Sequence, residues 1–445
     1  MYLDILGKSL KFYNYETMTR SSILIIDGTN HLNRLLNSKP IYNSEFKEVG
    51  LVYRFIKFVV DVYNITIPDE IHLVFDVGRD LKKKKIFELY KSNRVLSGIK
   101  SEALGLLPEE MHRRLRESRD VLIKFFNLIP NVFVYPILAV EGDTIIAYIT
   151  KLLLNNESNS EVIICSNDKD FYQLLDSDNI KILRYYKKQN EITFIDKRKA
   201  ILDLGFLNET DGKILDYSLN QLKVSLSKSI PYYKAIIGDE TDYIIGIKDL
   251  GLSFVRNLFK IQVIKGIQGF NSIDEFIKFL NDLHKNVSEK RFNNIDNTNL
   301  IKEYNEVLSN KRFVNKLIQF VKQMNDKSSN VYKQFEINYK LISFDYAISE
   351  LSSVVISDIH SIIKSKKELL EKKEVSEIIN KIEEYIYELE LDSIEEFYYE
   401  LINFIILLIS NKKNSELVKI NVSNNKINLS NWIKIIDYIK RQRLS

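Results

Sequence analysis

The chain has 445 residues, 45% of them apolar, with a formal net charge of +4 and one cysteine. That length holds one large α/β domain plus a helical unit, and that composition is the ordinary one of a folded globular protein. The small net charge leaves local clusters of Lys and Arg as the source of any attraction to nucleic acid, and the single Cys165, set in an apolar strand, excludes an internal disulfide and fits a reducing compartment. The opening residues MYLDILGKSLKFYNYETMTR mix charge and aromatics and do not read as a secretory leader. The longest apolar stretch, LINFIILLIS at 401–410, is too short for a bilayer and reads as a buried helix.

From residue 22 the chain alternates two kinds of segment. Strands are predicted at 22–27, 71–76, 132–136, 162–166 and 180–184, and helices at 49–64, 109–127, 143–155 and 169–175. This alternation predicts a doubly wound parallel sheet. From about 197 to 330 the pattern turns helical, FEINYKLISFD at 335–345 reads as one more extended segment, and from about 360 Glu, Lys, Ile and Leu recur at helical spacing. No internal repeat is present.

Eight acids, Asp27, Asp76, Glu141, Asp143, Asp168, Asp170, Asp239 and Asp242, punctuate the first 250 residues, most of them at or just after apolar runs such as SILIID, IHLVFD and EVIICSND. In open α/β sheets the carboxyl ends of the strands form the rim where ligands bind, so these side chains are expected to meet there. Carboxylates crowded together raise one another's pKa, and a hard divalent cation is the simplest compensation. Oxygen ligands with no paired His or Cys favour Mg²⁺ or Mn²⁺, and two such ions suit hydrolysis at a phosphate. Any one of these acids alone reads equally as an N-cap or turn residue; their ordered set does not. The five histidines are scattered without metal-ligand spacing, and no GxxxxGK[ST] sequence argues for an ATP-driven motor.

The ordered series DGTN, FD, YKSNR, EGD, SNDKDF and GDETD resembles the 5′ nuclease or flap endonuclease family in its bacterial and phage form. The motifs cover roughly residues 20–260, and SNDKDFYQLL and YKSNR carry the resemblance most specifically. It implies metal-dependent phosphodiester hydrolysis in branched or 5′-ended DNA. It places Asp27, Asp76, Glu141, Asp143 and Asp168 around a first ion and Asp170, Asp239 and Asp242 around a second, with many contacts through water. Thr144 stands where many bacterial members carry another Asp.

Between Asp76 and Glu141 the segment RDLKKKKIFELYKSNR concentrates Arg79, Lys82, Lys83, Lys84, Lys85, Lys91 and Arg94, followed by Arg113, Arg114, Arg116 and Arg119. Such density suits phosphates. The resemblance implies an arch over the site, about 79–119, in which Lys91 and Arg94 hold the scissile phosphate and Tyr90 stacks on an unpaired base. In YYKAIIGDETDYIIGIKDLGLSFV the resemblance implies a duplex-gripping turn framed by Gly246 and Gly251, with a bound potassium ion. Tyr243, Ile245, Asp249, Ser253 and Phe254 depart from the family's pattern there, which weakens the potassium site and leaves the two acids standing.

The expected architecture is therefore an α/β, PIN-like doubly wound parallel sheet with a helical arch (1–204), a helical duplex-binding region with a helix-turn-helix element (205–358) and a C-terminal helical extension (359–445). The expected activity is that of a 5′-3′ exonuclease or flap endonuclease using two Mg²⁺ ions, with Mn²⁺ as substitute, on flapped, nicked or RNA-primed DNA. It is expected to act as a monomer in bacterial or phage-infected cytoplasm, away from membranes. The extension, with its basic end KRQRLS, either docks a replication protein or packs on the core. A PIN-type ribonuclease and a catalytically weakened DNA-binding scaffold are the rival readings.

Overall fold

The computed structural model describes residues 21–78, 80–91, 108–156, 160–186, 191–289, 298–372, 375–391 and 395–409. In chain order the first part runs β1 (Ser22–Asp27), α1 (Gly28–Leu35), α2 (Gly50–Thr66), β2 (Glu70–Val74), α3 (Leu81–Ile86), α4 (Pro108–Leu128), β3 (Val132–Tyr135), α5 (Gly142–Asn156), β4 (Glu161–Cys165), a 3₁₀ turn at Lys169–Leu174, β5 (Ile180–Tyr186), β6 (Glu191–Ile195) and α6 (Lys197–Asp203). The six strands form one sheet in the order β3-β2-β1-β4-β5-β6, parallel throughout except for β6.

Every residue of β1 is buried, as a strand covered on both faces requires. Successive side chains point to opposite faces, so Ile23 and Ile25 join one core while Leu24 and Ile26 join the other. The first core is completed by α5 and by helices that follow the sheet; the second is completed by α2 and α4. β6 is an edge strand paired antiparallel to β5, with Leu183 opposite Phe194, and its short run EITFI gave no strand signal in the sequence.

After the sheet come α7 (Gly212–Asp216), α8 (Ile230–Ile237), a two-stranded hairpin of β7 (Gly238–Asp239) and β8 (Ile244–Ile245), then α9 (Leu252–Ile264), α10 (Ile273–Glu289), α11 (Thr298–Ser309), α12 (Lys311–Met324), α13 (Asn330–Ile342) and α14 (Phe344–Ser349). The extended segment expected at 335–345 is thus helical. Its apolar residues alternate at 335, 337, 339 and 341, but the side chains that are buried are Tyr332, Phe335, Asn338, Leu341 and Ile342, which is the three-to-four spacing of a helix. Asn338 uses that face to donate to the carbonyls of Ala235 and Ile245, each at 2.8 Å, and so ties α13 to α8 and the hairpin.

Three further helices, α15 (Ser353–Lys372), α16 (Val375–Glu388) and α17 (Glu395–Ile409), close the described chain. α17 contains most of the apolar stretch expected to be a buried helix, and Leu401, Ile402, Phe404, Ile405 and Leu408 are indeed buried there. Phe404 meets Tyr63 of α2 edge to face at 4.9 Å, and Ile378, Ile382 and Ile386 of α16 enter the same core. Lys366 of α15 donates to the carbonyls of Asn127 and Ile129, at 2.7 and 3.2 Å, where α4 ends. Among the described residues no helix is long and apolar enough to cross a membrane.

Candidate active site

The strand order reverses between β1 and β4, and a crevice opens outside the carboxyl ends of strands at such a point. Asp27 ends β1 there. It caps α1, with one carboxylate oxygen accepting from the Asn30 amide at 3.0 Å and the other from the Ser166 hydroxyl, just past β4, at 2.9 Å. Asp168 follows and caps the 3₁₀ turn by accepting from the Asp170 amide at 2.9 Å. From the β2 side, Asp76 takes the amide of Gly142 in a short hydrogen bond and donates its own amide to Thr29 at 2.7 Å. A Cβ on Gly142 would fall 2.8 Å from the Asp76 carboxylate, so only glycine permits this approach. Glu141 and Asp143 bracket that glycine at the head of α5.

Burial and mutual repulsion set these acids apart. Burial first, then Asp76 and Asp168, push Asp27 up to about 7 despite its hydrogen bonds. Burial and the neighbouring Asp170 carry Asp168 to about 6. Burial, then Asp168 and Asp27, raise Asp143 well above the usual carboxylate range. Among the described residues none of these three makes an ion pair with Lys or Arg. Beside them in sequence, Asn30, Thr144 and Asn167 hold buried side-chain polar atoms that lack a hydrogen-bond partner.

The flanking acids are neutralised instead. Glu141 accepts from Lys83 at 2.5 Å and, in a shorter contact, from Lys91; burial would raise it, but Lys83 and then Lys91 outweigh burial and hold it at about 2. Lys234 of α8 lies between Asp170, in a short contact, and Asp239 at 2.8 Å. Asp239 is held below the usual range because Lys234 and Thr241 outweigh burial. As the side chains stand, no three His, Cys, Asp or Glu groups among the described residues converge closely enough to enclose an ion. The eight predicted acids share one neighbourhood, but they divide into a cation-poor centre and a lysine-bound flank.

Tyr90 corrects the sequence reading. It is 3% exposed, and its hydroxyl donates to Glu141 at 3.1 Å and Asp242 at 3.2 Å, so it offers no open face to a base. With Ile244, Leu341 and Ile342 it forms a small apolar cluster that seats the end of α3 on the hairpin. Lys91, at φ 56°, donates its amide to the Asp242 carbonyl at 3.0 Å and places its ammonium 3.5 Å from the Asp242 carboxylate. Lys83 is buried, whereas Lys82 and Lys85 are exposed and Lys84 half-buried, so α3 shows solvent only part of its charge. Arg79, Arg94 and the middle of the expected arch lie outside the described residues.

The basic group on α4 is partly structural as well. Arg114 is buried against Glu48 at 3.5 Å and the carbonyls of Leu36 and Ser38, and Arg119 donates to the Asp76 carbonyl at 3.1 Å. Of the two framing glycines, Gly246 closes the hairpin: a Cβ there would sit 2.1 Å from the Ile237 carbonyl oxygen, and Gly238, at φ +83°, faces it. Gly251 stands at the N-cap of α9 with open space where a side chain would be. Two lysines escaped the sequence reading. Lys234 precedes Asp239 by five residues, a spacing that was available as a signal; Lys316, on the Asp249 carbonyl across 67 residues, gave none.

Residues 22–205 match the family described as the 5′-3′ exonuclease N-terminal, resolvase-like domain. A DNA polymerase I of Caldicellulosiruptor bescii is 22% identical over 273 residues, 60% of this chain and 27% of that protein. A 5′-3′ exonuclease of Aquifex aeolicus is 22% identical over 240 residues, 54% of this chain and 69% of that one. The chain therefore spans about a quarter of the length of the polymerase. The T5 D15 protein co-crystallised with metal ions aligns at a TM-score of 0.46 and 16% identity, over 78% of this chain and 98% of that one.

Proposed function

We propose that this chain, whose residues 22–205 match the 5′-3′ exonuclease N-terminal domain, is a 5′ nuclease that hydrolyses phosphodiesters in DNA bearing a 5′ flap, nick or RNA primer. The observation that carries this reading is the centre of unpaired acids: Asp27, Asp143 and Asp168 are raised by burial and by neighbouring carboxylates at the switch point of the sheet, next to buried polar atoms without partners. An all-oxygen set that repels itself fits a hard divalent cation with part of its water shell, Mg²⁺ or Mn²⁺. Asp27, Asp143 and Asp168, with Asp76 and Glu141 beside them, would hold the first ion, and Asp170, Asp239 and Asp242 the second. Such ions supply a water of lowered pKa and stabilise the departing oxygen.

The chain's own groups do the rest. Asp76, fixed through Gly142 and Thr29, keeps β2 and α5 in register at the rim. Lys91, together with Arg94, offers cationic contacts to the scissile phosphate, and for Lys91 this means exchanging Glu141 and Asp242 for DNA. Exposed Lys82 and Lys85 draw the strand in, and the open N-terminus of α9 at Gly251 suits a duplex phosphate. Potassium has no part in the reading, because Lys316 already donates to the Asp249 carbonyl of that turn.

By role the chain divides into a nuclease core (1–204), a duplex grip (205–358) and an extension (359–445) that braces the core, since α16 and α17 spend their apolar faces on α2 and α4. It works as a monomer on replication or repair intermediates in bacterial or phage-infected cytoplasm. An internally labelled 5′-flap duplex and a single-stranded RNA, each incubated with Mg²⁺ or with EDTA, test the proposal. Cleavage of the flap duplex near its junction, abolished by EDTA, is expected. Preference for the RNA would favour a PIN-type ribonuclease, and no cleavage of either would favour a DNA-binding scaffold.

A further inference from the structure

Lys234 is a lysine on the last turn of α8, 12% exposed, whose ammonium touches two acids from different elements, Asp170 and Asp239, the latter at 2.8 Å. Those acids are 16% and 18% exposed, so both partners are desolvated, and among the described residues Lys234 is the only lysine or arginine paired with them. A buried carboxylate pair facing one ammonium is partly neutralised, with one negative charge left for a stronger cation to balance. We infer that Lys234 is a resident cation: it holds Asp170 and Asp239 in place until a divalent ion takes those carboxylates, so lysine and ion exclude each other there.

This inference rests on the reading that the acids bind divalent ions, and its test separates the two. Mn²⁺ is titrated into the full chain without DNA, free ion being read by electron paramagnetic resonance, for the natural protein and for Lys234→Met. The weaker class of bound Mn²⁺ is expected to tighten by about tenfold or more in the variant, because a competing charge is gone. Unchanged or weaker binding in Lys234→Met overturns the inference while leaving the nuclease reading intact; absence of Mn²⁺ from both proteins overturns both. A second measurement needs no variant. Acetylation of Lys234 in the natural protein, followed by mass spectrometry, is expected to be slow without metal and at least several-fold faster at saturating Mn²⁺. Equal labelling in the two conditions contradicts the exchange.

Discussion

At the mouth of the sheet, Asp27, Asp143 and Asp168 form no ion pair with a lysine or arginine among the described residues, whereas Glu141, Asp170 and Asp239 on the flanks each accept from one or two lysines. Both groups are largely buried and both would be costly as bare charges. The flank offsets the cost with lysine ammonium groups of the chain itself; the centre leaves it unresolved, with Asp27 at about 7 and Asp168 at about 6. The lesson is that burial and clustering of acids do not by themselves mark a metal site. The two groups differ in whether a lysine of the chain pairs with the acids before any ion arrives.

The difference is sharpest in catalysis. Asp168→Ala removes a central acid and is expected to lower flap cleavage by roughly 10³-fold, with DNA binding within about threefold, because the loss falls on the transition state. Steady-state cleavage and fluorescence anisotropy check it; near-normal turnover would break the assignment of the centre. On the flank, Lys83→Met leaves Glu141 buried with Lys91 as its remaining ammonium partner and is expected to destabilise the fold by about 2 kcal/mol, read from urea unfolding. A neutral outcome would mean that the pair is dispensable.

The two groups also respond to pH with opposite sign. A carboxyl raised in the fold binds its proton more tightly folded than unfolded, so Asp27 and Asp168 withdraw stability from the metal-free protein as pH rises from the ordinary carboxylate range through about 6 and 7. Glu141, held at about 2, contributes stability above its ordinary pKa that is lost only as pH falls toward that value. Melting temperatures between pH 4 and 8 are expected to show Mn²⁺ stabilising the protein most above pH 7, since the ligands must be deprotonated. A metal effect largest at pH 5 would contradict this. The smallest change is expected at an exposed lysine: Lys85→Ala leaves stability alone and lowers the slope of log binding constant against log salt by about 1.

The sequence made the sheet legible because buried parallel strands are continuous apolar runs, and it made the acids legible because each ends such a run. Two segments misled or stayed silent: 335–345, whose alternation mimics a strand although its burial follows a helix, and the short edge strand β6. The partners of the acids were harder to see. Lys83 lies 58 residues from Glu141 and Lys234 lies 64 residues from Asp170, so only the fold brings them together. The resemblance implies a stacking face at Tyr90, but its burial depends on Ile244, Leu341 and Ile342, which lie far along the chain.

The most direct test is a crystal grown with Mn²⁺ and examined by anomalous scattering at the manganese edge. A peak is expected among the carboxylates of Asp27, Asp143 and Asp168. A crevice without manganese, or manganese bound only elsewhere on the surface, would contradict it.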